Sequence, residues 1–580
     1  MEHPGSGLAF QSERDTSDNI AGGKFTSPRC GDRGKSGSRA STRQHAHSCL
    51  YEFIPPHFSY TEELLVRKKK TRTKLLVSAF PFFSSFSWEC FLSLPGKSSE
   101  GQSFLSTSED MLYWTLSEWR ILLLFAPLWD GLCASGVKPT RWPLYSQKPL
   151  LLAWNIPTQE CGPWHKVSLE LDQFQIVASP NEGFVRQNLT MFYKDRLGFY
   201  PYFEQDETPI HGGLPQVASL SQHLEKMRQS VAKYIPDQQA VGLAVIDWEE
   251  WRPVWIRNWG PKYIYRSRSV ELVRQKNPTW PAEQLTKVAQ QEYEMSAKNF
   301  MLGTLKNAKH LRPHQLWGFY LFPDCYNHNY LQSLVSYTGR CPDPEESRNE
   351  QLKWLWNEST ALFPSVYMGT VLRSSASGCQ FVRNRVKEGM RLASSGDGLA
   401  RPVFVYTRPT YTDSLQQLTE TDLVSTIGES VALGAAGIIL WGDAAYNKTT
   451  CSDLDVYLRG TLGQYLLNVS TAAELCSQTL CGSHGRCLRK NPDSDAYLHL
   501  SPLTHSFQRP NGKLTVSGEL GEEDEARFRA DFQCQCYSGF LGEDCGEKDP
   551  QHQTGTAARA GTSALQCVAL LLTFVLLSFT

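Results

Sequence analysis

Val241-Gly-Leu-Ala-Val-Ile-Asp-Trp-Glu-Glu-Trp-Arg-Pro253 is an apolar run that breaks off in carboxylates. The run over 241–248 reads as an apolar strand that leads straight into the carboxylates. Side chains two apart on a strand share a face. Asp247 and Glu249 are therefore predicted to project together, with Trp248 and Glu250 on the other side. Parallel α/β barrels build their active sites at strand C-termini, which is where this pair falls. Two carboxyls at close range cannot both ionise freely, so one keeps its proton to higher pH and can act as an acid near neutrality. Cleavage of a glycosidic bond needs such a group, because the leaving oxygen must be protonated. A bare Asp-x-Glu at a strand end is more often a pair of solvated surface charges, so the pair needs support from the rest of the chain.

Further short apolar runs lie at 150–154, 174–178, 315–322, 402–406 and 437–441, with helix-like stretches such as 284–309 and 422–433 between several of them. Alternating β and α predicts a parallel sheet with helices outside, and the length suits an α/β, TIM-like barrel over 137–470. Beyond it come Cys476, Cys481, Cys487, Cys534, Cys536 and Cys545, with Gly482, Gly485, Gly539 and Gly542 in the turns. This spacing reads as an EGF-like module over 471–548, with a long insert between its third and fourth cysteines. A unit that small relies on disulfides in place of a core.

Net charge is −1, with 58 Lys+Arg against 59 Asp+Glu, so the chain has no electrostatic footprint for nucleic acid. An acidic polymer then needs one local basic groove. The 16 Trp, 23 Tyr and 28 Phe supply a large core and, for a minority of them, surfaces for sugar rings. Neither a CxxC…CxxC pair nor HExxH occurs, so no metal and no cofactor is expected. The 16 irregularly spaced cysteines and the sequons at Asn188, Asn357, Asn447 and Asn468 point to the oxidising secretory pathway.

The ends agree. Residues 1–110 are rich in Ser, Arg and Lys and read either as disordered or as an extension upstream of a start at Met111. Residues 111–136 have the layout of a signal peptide: Arg120, an apolar run to Trp129, then small residues at Ala134-Ser135-Gly136. The run 75–94 is a second, less clean candidate. At the other end, 549–580 combines small residues from Gly555 to Ala558, a polar spacer and an apolar tail. That is the pattern of a GPI-anchor signal, with Gly555 the candidate attachment residue. A transmembrane tail is the second reading, but the run is at the short limit and no basic residues follow it. The expected location is the outer cell surface, with endosome and lysosome as further stations.

Asp247-Trp-Glu-Glu-Trp-Arg-Pro253 resembles the active-site signature of the animal hyaluronidases, glycoside hydrolase family 56. Further matches follow in family order: Pro149-Leu-Leu-Leu-Ala-Trp-Asn-Ile-Pro-Thr158, His211-Gly-Gly-Leu-Pro-Gln216, Trp317-Gly-Phe-Tyr-Leu-Phe-Pro-Asp-Cys-Tyr-Asn327, Trp354-Leu-Trp356 and Gly437-Ile-Ile-Leu-Trp441. The GPI-anchored type is the most similar, on Ala178-Ser-Pro-Asn-Glu-Gly-Phe184, Phe404-Val-Tyr-Thr-Arg-Pro-Thr-Tyr411 and Ile427-Gly-Glu-Ser430.

The resemblance implies a distorted (β/α) barrel and an endo-β-N-acetylhexosaminidase. Its substrate would be hyaluronan, cut at β-1,4 linkages between N-acetylglucosamine and glucuronate. Configuration would be retained, with the substrate's N-acetyl group as nucleophile. Glu249 would be the proton donor and then the base; Asp247 would share its proton and hold the acetamido nitrogen. Tyr367 would bond the acetamido group beside Tyr320, with Trp441 as the pocket wall. Tyr193 and Arg385 would lie in the substrate groove, Arg385 as a cation suited to glucuronate.

The implied disulfides are Cys161–Cys451, Cys325–Cys341, Cys476–Cys487, Cys481–Cys534 and Cys536–Cys545. Cys379 is left over, either as a free thiol or for an intermolecular link. Chondroitin is the alternative substrate. A cell-surface hyaluronan-binding protein of weak activity is the alternative function, which the intact Asp247 and Glu249 disfavour. The oligomeric state stays open.

Overall fold

The computed structural model describes residues 137–145, 148–180, 183–442 and 447–550. The expected signal peptide at 111–136, the stretch before it, and Gly555 with the apolar tail lie outside the described residues. Seven parallel strands form two sheets. One runs β2 (Ile176–Val177), β1 (Leu151–Asn155), β9 (Gly437–Trp441), β8 (Phe404–Thr407), and the other β3 (Leu189–Phe192), β6 (Gly242–Ile246), β7 (Gln315–Phe319). A small antiparallel hairpin, β4 (Tyr202–Phe203) with β5 (Pro209–Ile210), interrupts the series. The extended segment 361–367 joins the sheets through parallel bridges Tyr320↔Phe363, Leu362↔Val403 and Ser365↔Tyr406. Between β2 and β3 the side chain of Gln187 takes the place of a ladder, its Oε1 accepting from the Ser179 amide at 2.7 Å. Around the circle the staves follow chain order, β1, β2, β3, β6, β7, 361–367, β8, β9, and the result is a (β/α) barrel.

Alternation explains why the strands read as unbroken apolar runs. Leu151, Ala153, Ile176, Leu189, Met191, Leu243, Val245, Leu316, Phe363, Phe404, Tyr406 and Ile439 fill the barrel interior. Their neighbours Leu152, Trp154, Phe192, Ala244, Ile246, Trp317, Val405, Ile438 and Leu440 belong to the surrounding core, shared with helices such as Leu220–Tyr234, Ala282–Leu311 and Ala376–Ala393. Both faces are covered, as parallel sheets require. Gly318 sits at an inward position of β7, where a Cβ would lie 2.4 Å from the Ala361 carbonyl oxygen. Only glycine lets the segment 361–367 close against that strand.

The stretch 422–433, expected as one helix, is Glu420–Leu423 and Glu429–Ala432 on either side of a π-helical turn, Val424–Gly428. One helix, Thr461–Cys481, runs from barrel wall into module with Leu462, Leu466, Val469, Ala473 and Cys476 buried along it. The module's strands Gly485–Arg489 and Phe532–Cys536 pair antiparallel, and the insert between them holds a second hairpin and the helix Glu522–Asp531. Disulfides join Cys476–Cys487, Cys481–Cys534 and Cys536–Cys545 in the module, and Cys161–Cys451 and Cys325–Cys341 in the barrel.

The seam includes a buried ion-pair cluster. Glu429 of the barrel is fully buried and receives Arg383 Nε at 2.7 Å and Arg489 Nη1, from the module, at 3.0 Å. Cys379 is a free thiol at this seam, its Sγ 3.6 Å from the Tyr497 hydroxyl, and burial pushes its pKa up. Asn188, Asn357 and Asn447 are exposed, whereas Asn468 is half-buried and its Oδ1 accepts from the Leu500 amide at 2.8 Å. Among the described residues no helix is long and apolar enough to cross a membrane.

Candidate active site

Following the inward positions beyond the apolar layer reaches the barrel's C-terminal mouth. Two residues after Met191 comes Tyr193, after Val245 Asp247, after Gly318 Tyr320, after Ser365 Tyr367, and after Ile439 Trp441. Tyr193, Tyr320, Tyr367 and Trp441 all pack on the interior cluster. One period-two rule thus sets a ring of aromatics and one carboxylate at the same level.

The ring is internally bonded. Tyr367 stacks on Trp441 with centroids 5.6 Å apart at 15°. The hydroxyls of Tyr320 and Tyr367 are hydrogen-bonded, and Tyr193 accepts from the Trp441 indole. Tyr406, buried in the same wall, meets Tyr320 edge-on at 5.0 Å. Burial, then the charge of Asp247, pushes Tyr193 up to about 12, and burial lifts Tyr320 and Tyr367 as well. All three are neutral donors across the physiological range.

The carboxylates come from the loop leaving β6. The Asp247 amide donates to the Phe192 carbonyl at 2.9 Å, which pins it to β3. Burial, then Glu249, then Glu250 hold the Asp247 carboxyl well above the usual carboxylate range, against the opposing charge of Arg252. Its Oδ1 is buried with no hydrogen-bond partner among the described residues. Glu249 is half-exposed; Arg252 donates to its carbonyl at 2.9 Å and to its Oε2 at 3.3 Å. Trp248 turns outward and stacks on Tyr200 at 4.3 Å, and Trp251 donates to the Pro201 carbonyl, so the loop is locked from behind. Burial thus favours the protonated form at Asp247, and the member of the pair open to a ligand is Glu249.

Arg385 is not brought to the mouth. It is buried on the helix Ala376–Ala393, donating to the Ser365 carbonyl at 2.8 Å, Asp324 at 2.9 Å and Asn327 at 3.3 Å. Although buried, Asp324 is held well below its ordinary value by Arg385 and Arg257. This buried guanidinium is committed to its protein neighbours, and through Ser365 it fixes the segment that carries Tyr367. The cations at the mouth are others. Arg252 lies on Glu249, and Arg408 stands 5.3 Å over the Trp441 ring. Both went unread in the sequence. Arg252 is legible in hindsight as the residue three after Glu249, and Tyr406 and Arg408 as the continuation of the inward series on β8.

This arrangement can hold one proton between two carboxyls and present neutral hydroxyls and a flat aromatic wall to a polar ring. The family model described as hyaluronidase matches residues 139–549. Hyaluronidase-2 of Rattus norvegicus is 50% identical over 457 residues, covering 76% of this chain and 96% of that protein. Hyaluronidase-2 of Homo sapiens is 49% identical over 470 residues, covering 79% and 98%. Hyaluronidase-1 of Bitis arietans is 45% identical over 417 residues, covering 70% and 93%. Among solved structures, bee venom hyaluronidase in complex with a hyaluronic acid tetramer aligns with a TM-score of 0.47 at 29% identity, over 55% of this chain and 98% of that one.

Proposed function

The chain belongs to the hyaluronidase family, and from that premise we propose that the mouth of its barrel cuts hyaluronan with the substrate's own N-acetyl group as nucleophile. The protein is a glycosidase that hydrolyses hyaluronan. One observation supports the mechanism above the rest: buried Asp247 and half-exposed Glu249 leave one loop together and face neutral hydroxyls.

A coupled pair titrates as a unit. Without substrate its proton rests on Asp247. A bound N-acetylglucosamine unit directs its acetamido N–H at Asp247, which favours the anion there, while the glycosidic oxygen draws the proton to Glu249. Glu249 then protonates the leaving oxygen as the acetamido carbonyl oxygen bonds to the anomeric carbon. Positive charge develops over that cyclised group, beside anionic Asp247. Tyr367 donates to the acetamido oxygen, Tyr320 fixes the Tyr367 hydroxyl, and Trp441 closes the wall. Glu249, now a carboxylate, takes a proton from the water that reopens the ring, and the β configuration returns. Groups aimed at charge that appears only in the transition state contribute most to rate. Tyr193 lines the groove, and Arg385 acts through Ser365.

The alternative, a surface protein that binds hyaluronan with little turnover, leaves the raised Asp247 without a purpose. Chondroitin, which differs mainly at one sugar hydroxyl, ranks second as substrate. Assay of the protein on hyaluronan between about pH 3.5 and about pH 7.5 is expected to release N-acetylglucosamine reducing ends. Activity should fall as pH rises through the raised value of the pair, because the acid form is lost there. Binding without new reducing ends at any pH would establish the receptor reading instead.

Five disulfides belong to a protein that matures in an oxidising compartment, secreted or membrane-associated. We assign residues 549–580 to a GPI signal with Gly555 as attachment point. Phosphatidylinositol-specific phospholipase C is expected to release the protein from intact cells. A cell-bound chain still carrying residues 565–580 would overturn the anchor.

A further inference from the structure

Glu250 is a third carboxylate on the catalytic loop, and the mechanism above does not use it. Its side chain is 22% exposed, and its Oε2 is buried with no hydrogen-bond partner among the described residues. Its ion-pair partner there is Lys194, whose Nζ lies 3.6 Å away. Lys194 follows Tyr193 on the adjoining stave, rests 4.3 Å over the Tyr202 ring and is shared with Glu204 at 3.8 Å. The other titratable or charged groups that face Glu250 are Asp247 and Arg252 on its own loop and the hydroxyls of Tyr200, Tyr202 and Tyr265 from the elements packed behind it. Among the described residues no hydrogen-bond donor neutralises the Glu250 Oε2, and its charge reaches Asp247 offset by one cation at salt-bridge distance.

We propose that Glu250 is a positioning carboxylate and that, with Lys194, it sets the pH at which the Asp247–Glu249 pair gives up its proton. Anionic Glu250 repels a second anion on the pair and keeps the proton there to higher pH. Lys194 opposes Glu250 and limits that effect. Both side chains are partly exposed, so they can be exchanged without opening the core. The kinetic consequence rests on the assignment of Asp247 and Glu249 as the proton-bearing pair.

The test has two readouts. One is the pH profile of kcat/KM on hyaluronan. The other is infrared titration of the protonated-carboxyl band that disappears in Asp247→Asn, read without substrate. Glu250→Gln is expected to move the alkaline limb and the band's titration down by roughly half to one pH unit, the scale of one nearby like charge. Lys194→Gln is expected to move both up. The double variant should fall between the two single variants, because the opposing fields of the two side chains add at the pair. An unmoved band in both single variants, shifts of the same sign, or a double variant shifted beyond either single variant would overturn the proposal. If the band moves as expected and the kinetic limb does not, the role of Glu250 stands and the catalytic assignment of the pair fails.

Discussion

Glu249→Gln is expected to lower turnover of hyaluronan by about 10²–10⁴-fold, the usual range for a lost general acid, and to retain affinity for an uncut hyaluronan oligomer. The amide has the shape of the carboxyl, and its oxygen can still accept from Arg252. What it lacks is a transferable proton. Asp247 does not substitute. It lies inward, pinned through its amide to Phe192, with an oxygen sealed from solvent. Removing the Glu249 charge also takes away one of the influences that keep the proton on Asp247, so its carboxyl shifts toward the ordinary range with burial still opposing. Paired measurements of kcat and of equilibrium binding check this. A folded variant with near wild-type kcat would remove Glu249 from the mechanism.

Sequence reading reached β6 and its carboxylates because a strand buried on both faces is an uninterrupted apolar run, and such runs are rare enough to stand out. It missed β3, Leu189-Thr-Met-Phe192, where Thr190 breaks the run, and it missed 361–367, which contains Pro364 and Ser365 and pairs only through isolated bridges. Those two staves carry Tyr193 and Tyr367, and only the resemblance to known hyaluronidases singled out the two tyrosines. Arg385 went astray for another reason. Charge is visible in a sequence and burial is not, and the inner face of the helix Ala376–Ala393 takes that guanidinium into Asp324 and the Ser365 carbonyl. The boundary at 470 was drawn from cysteine spacing, whereas the apolar periodicity of the helix Thr461–Cys481 runs through it. Six module cysteines permit many pairings, and spacing alone favoured none.

A hyaluronan oligomer stripped of its N-acetyl groups is expected to bind and to resist cleavage, with turnover lower by several orders of magnitude. The reason is the placement of the carboxylates. An ordinary retaining glycosidase sets its two carboxyls on opposite sides of the scissile bond, about 5–5.5 Å apart, so that one attacks while the other protonates. Asp247 and Glu249 leave β6 two residues apart and approach a sugar from the same side. In the proposed mechanism the nucleophile comes from the substrate, and the Tyr320–Tyr367–Trp441 wall offers a hydroxyl and a stacking surface suited to a cyclising acetamido group. A thiazoline mimic of that cyclised group is expected to inhibit, less strongly after Tyr367→Phe. The most direct measurement compares single-turnover cleavage of matched N-acetylated and de-N-acetylated oligomers, with mass spectrometry of the protein quenched during reaction. Cleavage confined to the acetylated oligomer and an unmodified protein are the predicted results; cleavage of both at similar rates, or a glycosyl ester on any carboxylate of this chain, would contradict them.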